Sequence, residues 1–124
     1  MAPRKLDKAD WRTFFDQVSK ILIGKRAEIE VASLSLGDQI EAEWLPFLSI
    51  AYDPKNDMIE IALDGLDHMI RKPREVYIDG SPVVLNALAV IDGEGVEEII
   101  KLRDPLALPP PQRESRGEAS AGNR

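Results

Sequence analysis

The sequence lacks cysteine altogether and has a single histidine, His68, among its 124 residues. A chain without cysteine has no disulfide, no thiolate nucleophile and no cysteine-ligated zinc or iron–sulfur centre. It also has no apolar run of about 18 residues, so neither a transmembrane helix nor binding to a membrane is expected. No signal segment follows Met1, and these features together predict a cytoplasmic protein.

Short motifs for phosphate binding and for a catalytic nucleophile are also missing. The chain has no GxxxxGKS/T, GxGxxG or GxSxG sequence. Residues 53–57, DPKND, resemble the start of a calcium loop, but they lack its central glycine and terminal glutamate, and a tight turn is favoured. No cofactor is expected, and the sequence favours a noncatalytic protein over an enzyme.

Basic side chains are scarce in the middle of the chain. Residues 28–104 carry 17 acidic and 6 basic side chains, whereas residues 1–27 carry 3 acidic and 7 basic ones. A surface with this excess of negative charge repels the phosphate backbone of DNA and RNA. Nucleic acid is therefore not an expected partner.

Residues 10–22, DWRTFFDQVSKIL, have apolar side chains at the spacing of one helix face. Asp7 is a candidate N-cap residue, and Gly24 can end the helix. Leu6 can pack against Trp11 and fix the first turn. The segment predicts an amphipathic helix whose apolar stripe comprises Trp11, Phe14, Phe15, Val18, Ile21 and Leu22.

From residue 25 onward the apolar period changes to two, which is typical of β-strands with one face in water. Turn sequences rich in Asp, Gly and Pro separate the apolar runs, and Pro46 interrupts the pattern. No helical pattern lies between the runs, which favours antiparallel pairing. The runs predicted as strands are AEIEVASL, DQIEAEW, FLSIAY (47–52), MIEIAL (58–63), EVYI, VVLNALAVI and VEEIIKL.

The predicted fold class is α+β. We expect one N-terminal amphipathic helix packed on an antiparallel meander sheet, or on a small partly closed barrel, of about six to eight strands. An N-terminal arm over residues 1–9 precedes a single domain over 10–108. Residues 109–124 are rich in Pro, Gly, Ser and charge, so they are predicted to form a disordered tail.

The segment GLDHMIRKPREVYIDG, residues 65–80, combines the lone histidine with a basic cluster. Pro73 disfavours a helix before it, so an exposed connection ahead of the EVYI strand should carry Arg71, Lys72 and Arg74. Arginines bind carboxylates through two hydrogen bonds, and a histidine makes such a contact sensitive to pH. We hypothesise a surface for an acidic partner formed by Asp67, His68, Arg71 and Arg74.

Several longer stretches resemble a known family. EAEWLP, YDPKND, GLDH with PREVYID, and LRDPLALP together are similar to a bacterial family catalogued as domain of unknown function 5335. The resemblance spans roughly residues 10–109. It implies a small single-domain bacterial protein and supplies no activity or catalytic residue.

Two classes of function remain open on the sequence alone. The leading hypothesis is a noncatalytic interaction module that binds an unknown protein partner or itself, because sheet edges and charged bends are common docking features. The alternative is a metal- or small-ligand-binding enzyme centred on Asp64, Asp67 and His68. Asp and His beside a glycine turn also arise from local hydrogen bonding alone.

Overall fold

The computed structural model describes residues 3–33, 35, 37–80 and 84–104, and the predicted tail over 109–124 lies outside them. Within these residues no helix is long and apolar enough to cross a bilayer. The described elements are β1 Arg4–Leu6, a 3-10 turn Lys8–Asp10, α1 Trp11–Ile21, β2 Arg26–Ser33, β3 Gly37–Asp53, β4 Met58–Leu63, β5 Leu66–Arg71, β6 Pro73–Gly80, β7 Leu85–Asp92 and β8 Glu97–Arg103.

The strands form one antiparallel sheet in the order β1-β6-β7-β8-β2-β3-β4-β5. This confirms the predicted α+β class with an antiparallel sheet. The meander is interrupted, because β5 and β6 follow one another in the chain without pairing and β8 returns to pair with β2. The helix also follows a strand, since residues 4–6 of the predicted N-terminal arm form β1 and pair with β6.

The long strand β3 connects the two parts of the sheet. Its first half pairs with β2 as far as Pro46, and its second half pairs with β4 from Phe47 onward. The sequence predicted a break at Pro46, but the strand continues and only its partner changes there. Trp44, just before this point, has a positive φ of 55°, and its carbonyl accepts a 3.1 Å hydrogen bond from Arg26 Nη1.

Helix α1 covers the edge of β3 that β2 leaves open. Ser19 Oγ accepts a 2.8 Å hydrogen bond from the amide of Ile50 and donates a 2.6 Å bond to the carbonyl of the same residue. These bonds satisfy backbone groups that would otherwise lack a strand partner. The helix therefore closes this edge and, at the same time, supplies buried side chains to the core.

The predicted apolar stripe of the helix is correct except at Ile21. Trp11, Phe14, Phe15, Val18 and Leu22 are buried, but Ile21 is 41% exposed because it lies at the margin of the stripe, in the last turn. Gly24 follows the helix with a φ of 94°, as expected for a residue that ends it. Asp7 precedes the 3-10 turn and makes no capping bond through its side chain.

A cluster of charged side chains lies on the outer face of β2, β3 and β8. Lys101 Nζ is 3.6 Å from Glu28 Oε1 and 3.5 Å from Glu30 Oε1. A hydrogen bond with Asp38, followed by desolvation and the charge of Asp38, raises the pKa of Glu30 above its ordinary value, against the opposing effect of Lys101. The carboxyl groups of Glu28 and Glu30 thus share one ammonium group, that of Lys101.

We predict that this raised pKa contributes a part of the folding stability that is lost as the pH rises. A carboxyl group whose pKa is higher in the folded chain contributes stability that is complete below its unfolded pKa and is lost as the pH rises through the folded pKa. For Glu30 this window begins near its ordinary value of 4.5 and extends upward. Asp38→Asn removes the main cause of the shift. The change in the free energy of unfolding between about pH 4 and pH 7, measured with urea, should therefore be more favourable to the folded state in this variant than in the wild type.

Glu41→Gln is the matched control, since it removes an exposed carboxylate from the same strand. It should leave the pH dependence of the unfolding free energy close to that of the wild type. An Asp38→Asn protein with the same pH dependence of unfolding as the wild type would show that the Glu30–Asp38 contact does not contribute.

Candidate functional site

The segment around the lone histidine is largely a strand and not the predicted connection. Asp64 and Gly65 form a two-residue turn, and β5 begins at Leu66. Lys72 alone separates β5 from β6, with a φ of 52°. The predicted connection is thus wrong for Arg71, which ends β5, and for Arg74, which lies inside β6, although all three basic residues are exposed as predicted.

Strand alternation divides the four predicted surface residues. Asp67 and Arg71 are exposed on the outer face of β5, whereas His68 is half-buried on the inner face with Ile70. Arg74 Nε donates a 3.1 Å hydrogen bond to the carbonyl of Asp92, at the turn between β7 and β8. The structure therefore keeps Asp67 and Arg71 on one face and separates them from His68.

His68 instead meets Glu98, a residue of β8 that the sequence analysis did not single out. Its Nε2 atom lies 2.5 Å from Glu98 Oε1, with 16% of the His68 side chain and 8% of the Glu98 side chain exposed. Within the described part of the chain, Glu98 is the one polar or charged residue that is buried. The sequence signal for its burial was its alternation with Ile100 and Leu102, which indicates that the three side chains share one face. The neighbouring apolar residue Ile99 obscured this alternation.

The contact between His68 and Glu98 shows how strongly the sheet curls. β5 and β8 are four positions apart in the strand order, which in a flat sheet would separate them by about 19 Å. The two side chains nevertheless touch, so β5 lies over the inner face of β8. The pair joins the edge strand of the sheet to a central strand.

A groove lies between β5 and the turn that joins β7 to β8, and we call it the β5 groove. Its volume is about 440 Å³, and Glu98 contributes to its lining. Arg71 and Lys72 line one side, and Asp92 and Glu94 line the other. Neither basic side chain makes a hydrogen bond or ion pair with another described residue. The groove thus presents basic groups on one side and acidic groups on the other, and its two cations are not held in an ion pair with a described residue.

The residues of the metal hypothesis do not converge. Asp67 and His68 are adjacent in a strand and project from opposite faces, and Asp64 lies in the preceding turn. Across residues 3–33, 35, 37–80 and 84–104, no group of three or more His, Asp or Glu side chains is placed to hold a metal ion. In the DPKND turn, Asp53 Oδ1 accepts bonds from the amides of Lys55 and Asn56, as in a tight polar turn.

One edge of β5 has no strand of the described residues beside it. In a hairpin with a two-residue turn, the flanking residues, here Leu63 and Leu66, form a hydrogen-bonded pair. The alternation continues to the 2.9 Å bond from the Lys72 amide to the Asp57 carbonyl. Between these hydrogen-bonded residues, the N–H and C=O groups of Asp67, Met69 and Arg71 point away from β4. They face the side of β5 where the described residues place no strand.

The fold and the site define a small α+β protein with a curled antiparallel sheet, in which the edge strand β5 lies beside a groove. The chain belongs to the family of unknown function DUF5335, which it matches over residues 2–111. It is also 34% identical, over 110 residues, to an uncharacterized protein from the bacterium Aquifex aeolicus (strain VF5), covering 88% of this chain and 99% of that relative. The resemblance seen in the sequence is confirmed.

Proposed function

We propose that the protein is a noncatalytic interaction module that binds a protein segment as an additional strand along the free edge of β5. The observation that carries the proposal is the outward direction of the backbone N–H and C=O groups of Asp67, Met69 and Arg71. An unpaired row of such groups is a template for another strand, and recognition by strand addition obtains its affinity from main-chain hydrogen bonds.

The side chains along this edge supply the means of selecting a partner. Asp67 and Arg71 have opposite charges, and Met69 between them is 48% exposed. In strand addition, alternate side chains of the added segment meet those of the edge strand on the same face. Arg71 and Lys72 line the β5 groove beside this edge, where they are placed to pair with a carboxylate of a bound segment, while Asp92 and Glu94 across the groove disfavour further negative charge.

The inner side of β5 supports a structural role more than a catalytic one. His68 and Glu98 are engaged with each other, at the point where the edge strand meets the core. A general base acts on a nucleophile or a substrate proton within hydrogen-bond reach. The pair is better suited to hold β5 in place, which a rigid binding edge requires.

We predict that Met69→Pro abolishes strand addition without unfolding the protein. Proline removes the amide that faces the open edge, while the β4–β5 hydrogen bonds, which involve the alternate residues, remain. Short random peptides can be selected on the wild type from a display library and their affinities measured by fluorescence anisotropy. Their affinity for Met69→Pro should fall by at least about tenfold.

Met69→Ala is the matched control, because it shortens the same side chain but keeps the amide. It should retain peptide binding, and NMR chemical-shift changes on binding should map to β5 in both the wild type and this variant. Peptides that bind Met69→Pro as well as the wild type would rule out strand addition at this edge.

A further inference from the structure

We infer that the segment added to β5 is β5 of a second copy of the chain, paired antiparallel about a two-fold axis at Met69. This inference rests on the proposed function and names its partner. The observation behind it is the order of side chains along the edge, Asp67, Met69 and Arg71. This order has opposite charges on either side of a central apolar residue, so it is complementary to its own copy in the antiparallel direction. The two sheets would then continue into each other through their β5 strands.

The pairing register follows from the two-fold axis. With Met69 opposite its own copy, Asp67 of one chain lies opposite Arg71 of the other, and the same pair recurs on the far side of the axis. Directly opposed unlike charges stabilise an antiparallel strand pair, whereas like charges destabilise it. The register therefore has two favourable charge pairs.

The backbone fits the same register. Asp67, Met69 and Arg71 direct their N–H and C=O groups to the open edge, so each pair in this register can exchange two hydrogen bonds. All the outward groups of the strand are then satisfied. On the outer face the two Met69 side chains, each 48% exposed in the single chain, come into contact at the axis.

Other two-fold registers are less favourable. An axis at Asp67 opposes two carboxylates, and an axis at Arg71 opposes two guanidinium groups. Axes at the inward positions His68 and Ile70 place Met69 opposite a charged residue. Only the axis at Met69 brings unlike charges together on both sides.

The contact area of one strand pair is small, so the dimer is expected to form with a micromolar or weaker dissociation constant. Sedimentation velocity over a concentration series should show a monomer–dimer equilibrium for the full chain. Asp67→Arg alone and Arg71→Asp alone should each weaken the dimer by at least about tenfold, because each turns both unlike pairs into like pairs.

Mixing these two variants should restore association, since each chain then opposes the charges of the other. The double variant Asp67→Arg with Arg71→Asp should likewise dimerise with itself. Recovery of association in the mixture and in the double variant requires the register at Met69. If the single variants had lost association through unfolding or a change in net charge, these combinations would not restore it. Failure of both to recover would overturn the inference.

A cysteine cross-link tests the register directly, because the chain contains no cysteine of its own. Met69→Cys should form an intermolecular disulfide under mild oxidation, since the Cα atoms of a hydrogen-bonded pair are about 5.5 Å apart, within the range of a disulfide. Asp67→Cys on the same strand is the control, because its two copies would be offset by about 13 Å along the strands, beyond the range of a disulfide. Equal cross-linking of both variants would contradict the register.

The outcomes separate this inference from the proposed function. A chain that stays monomeric but binds selected peptides along β5 would overturn the dimer and leave strand addition standing. A dimer that is unchanged by Met69→Pro and by charge reversal uses another surface, which also overturns the inference. A monomer that binds no peptide at this edge would overturn both.

Discussion

Trp11→Ala is expected to lower the free energy of unfolding by about 3–5 kcal/mol, the range for removal of a large aromatic side chain from a core. Trp11 is 1% exposed at the start of α1. Its Nε1 atom donates a 3.2 Å hydrogen bond to the Leu6 carbonyl, and its ring packs edge-on against Tyr52 with centroids 5.1 Å apart. The substitution therefore removes apolar burial, an aromatic contact and a hydrogen bond that connects β1 to the helix.

A loss of this size is a large share of the stability of a small domain, so we expect a measurable unfolded fraction of the variant at room temperature. Urea denaturation followed by circular dichroism measures the loss, and Trp11→Phe provides a milder variant that should stay folded. Ile21→Ala is the matched control on the same helix, where exposure of 41% predicts a small effect. Similar losses at both positions would contradict the assigned packing of the helix.

His68→Ala is expected to cost about 3 kcal/mol, because it leaves Glu98 buried without its partner. Breaking a buried polar pair from one side is expensive, since the remaining group keeps its desolvation cost and loses the interaction that offset it. The substitution should also loosen β5, because the pair connects this edge strand to β8. Hydrogen exchange of the β5 amides should therefore increase more than that of the β2 amides.

Two further variants distinguish this mechanism from a simple loss of volume. Replacing both partners, His68→Leu with Glu98→Leu, should recover most of the stability lost in His68→Ala, since no polar group is then left unpaired. Asp67→Ala changes the adjacent, outward-facing residue and should have an effect within about 0.5 kcal/mol. A double variant less stable than His68→Ala would show that the His68–Glu98 interaction contributes stability beyond pairing two polar groups that would otherwise be buried alone.

The sequence predicted the elements whose side-chain period is regular. The helix was recognised because its aromatic and aliphatic residues recur at helical spacing, and MIEIAL was recognised as β4 because it alternates cleanly. In such segments each side chain's surroundings are set mainly by its place in the local repeat. The resemblance to the family was likewise contained in short stretches of sequence.

The period is irregular in β5, and there the prediction failed. LDHMIR places a histidine on the inner face and a methionine on the outer face, the reverse of the usual order, so it was read as a polar bend. Glu98 was not recognised as an inner-facing residue, because the apolar Ile99 beside it obscures the alternation in β8. His68 and Glu98 can each lie on the inner face because the other provides a hydrogen-bond partner there. The two residues are 30 positions apart in the chain, so neither local pattern indicates the pair.

By itself, therefore, the sequence determined the fold class, the helix, most of the strands and the family. Which strands lie at the edges of the sheet, and which charged side chains meet, became known only from the tertiary structure. Strand order depends on pairings between distant segments, such as β2 with β8, and local periodicity carries no information about them. The free edge of β5 and the His68–Glu98 pair both follow from that order, because β8 closes the sheet against β2 while the curl brings β5 over β8.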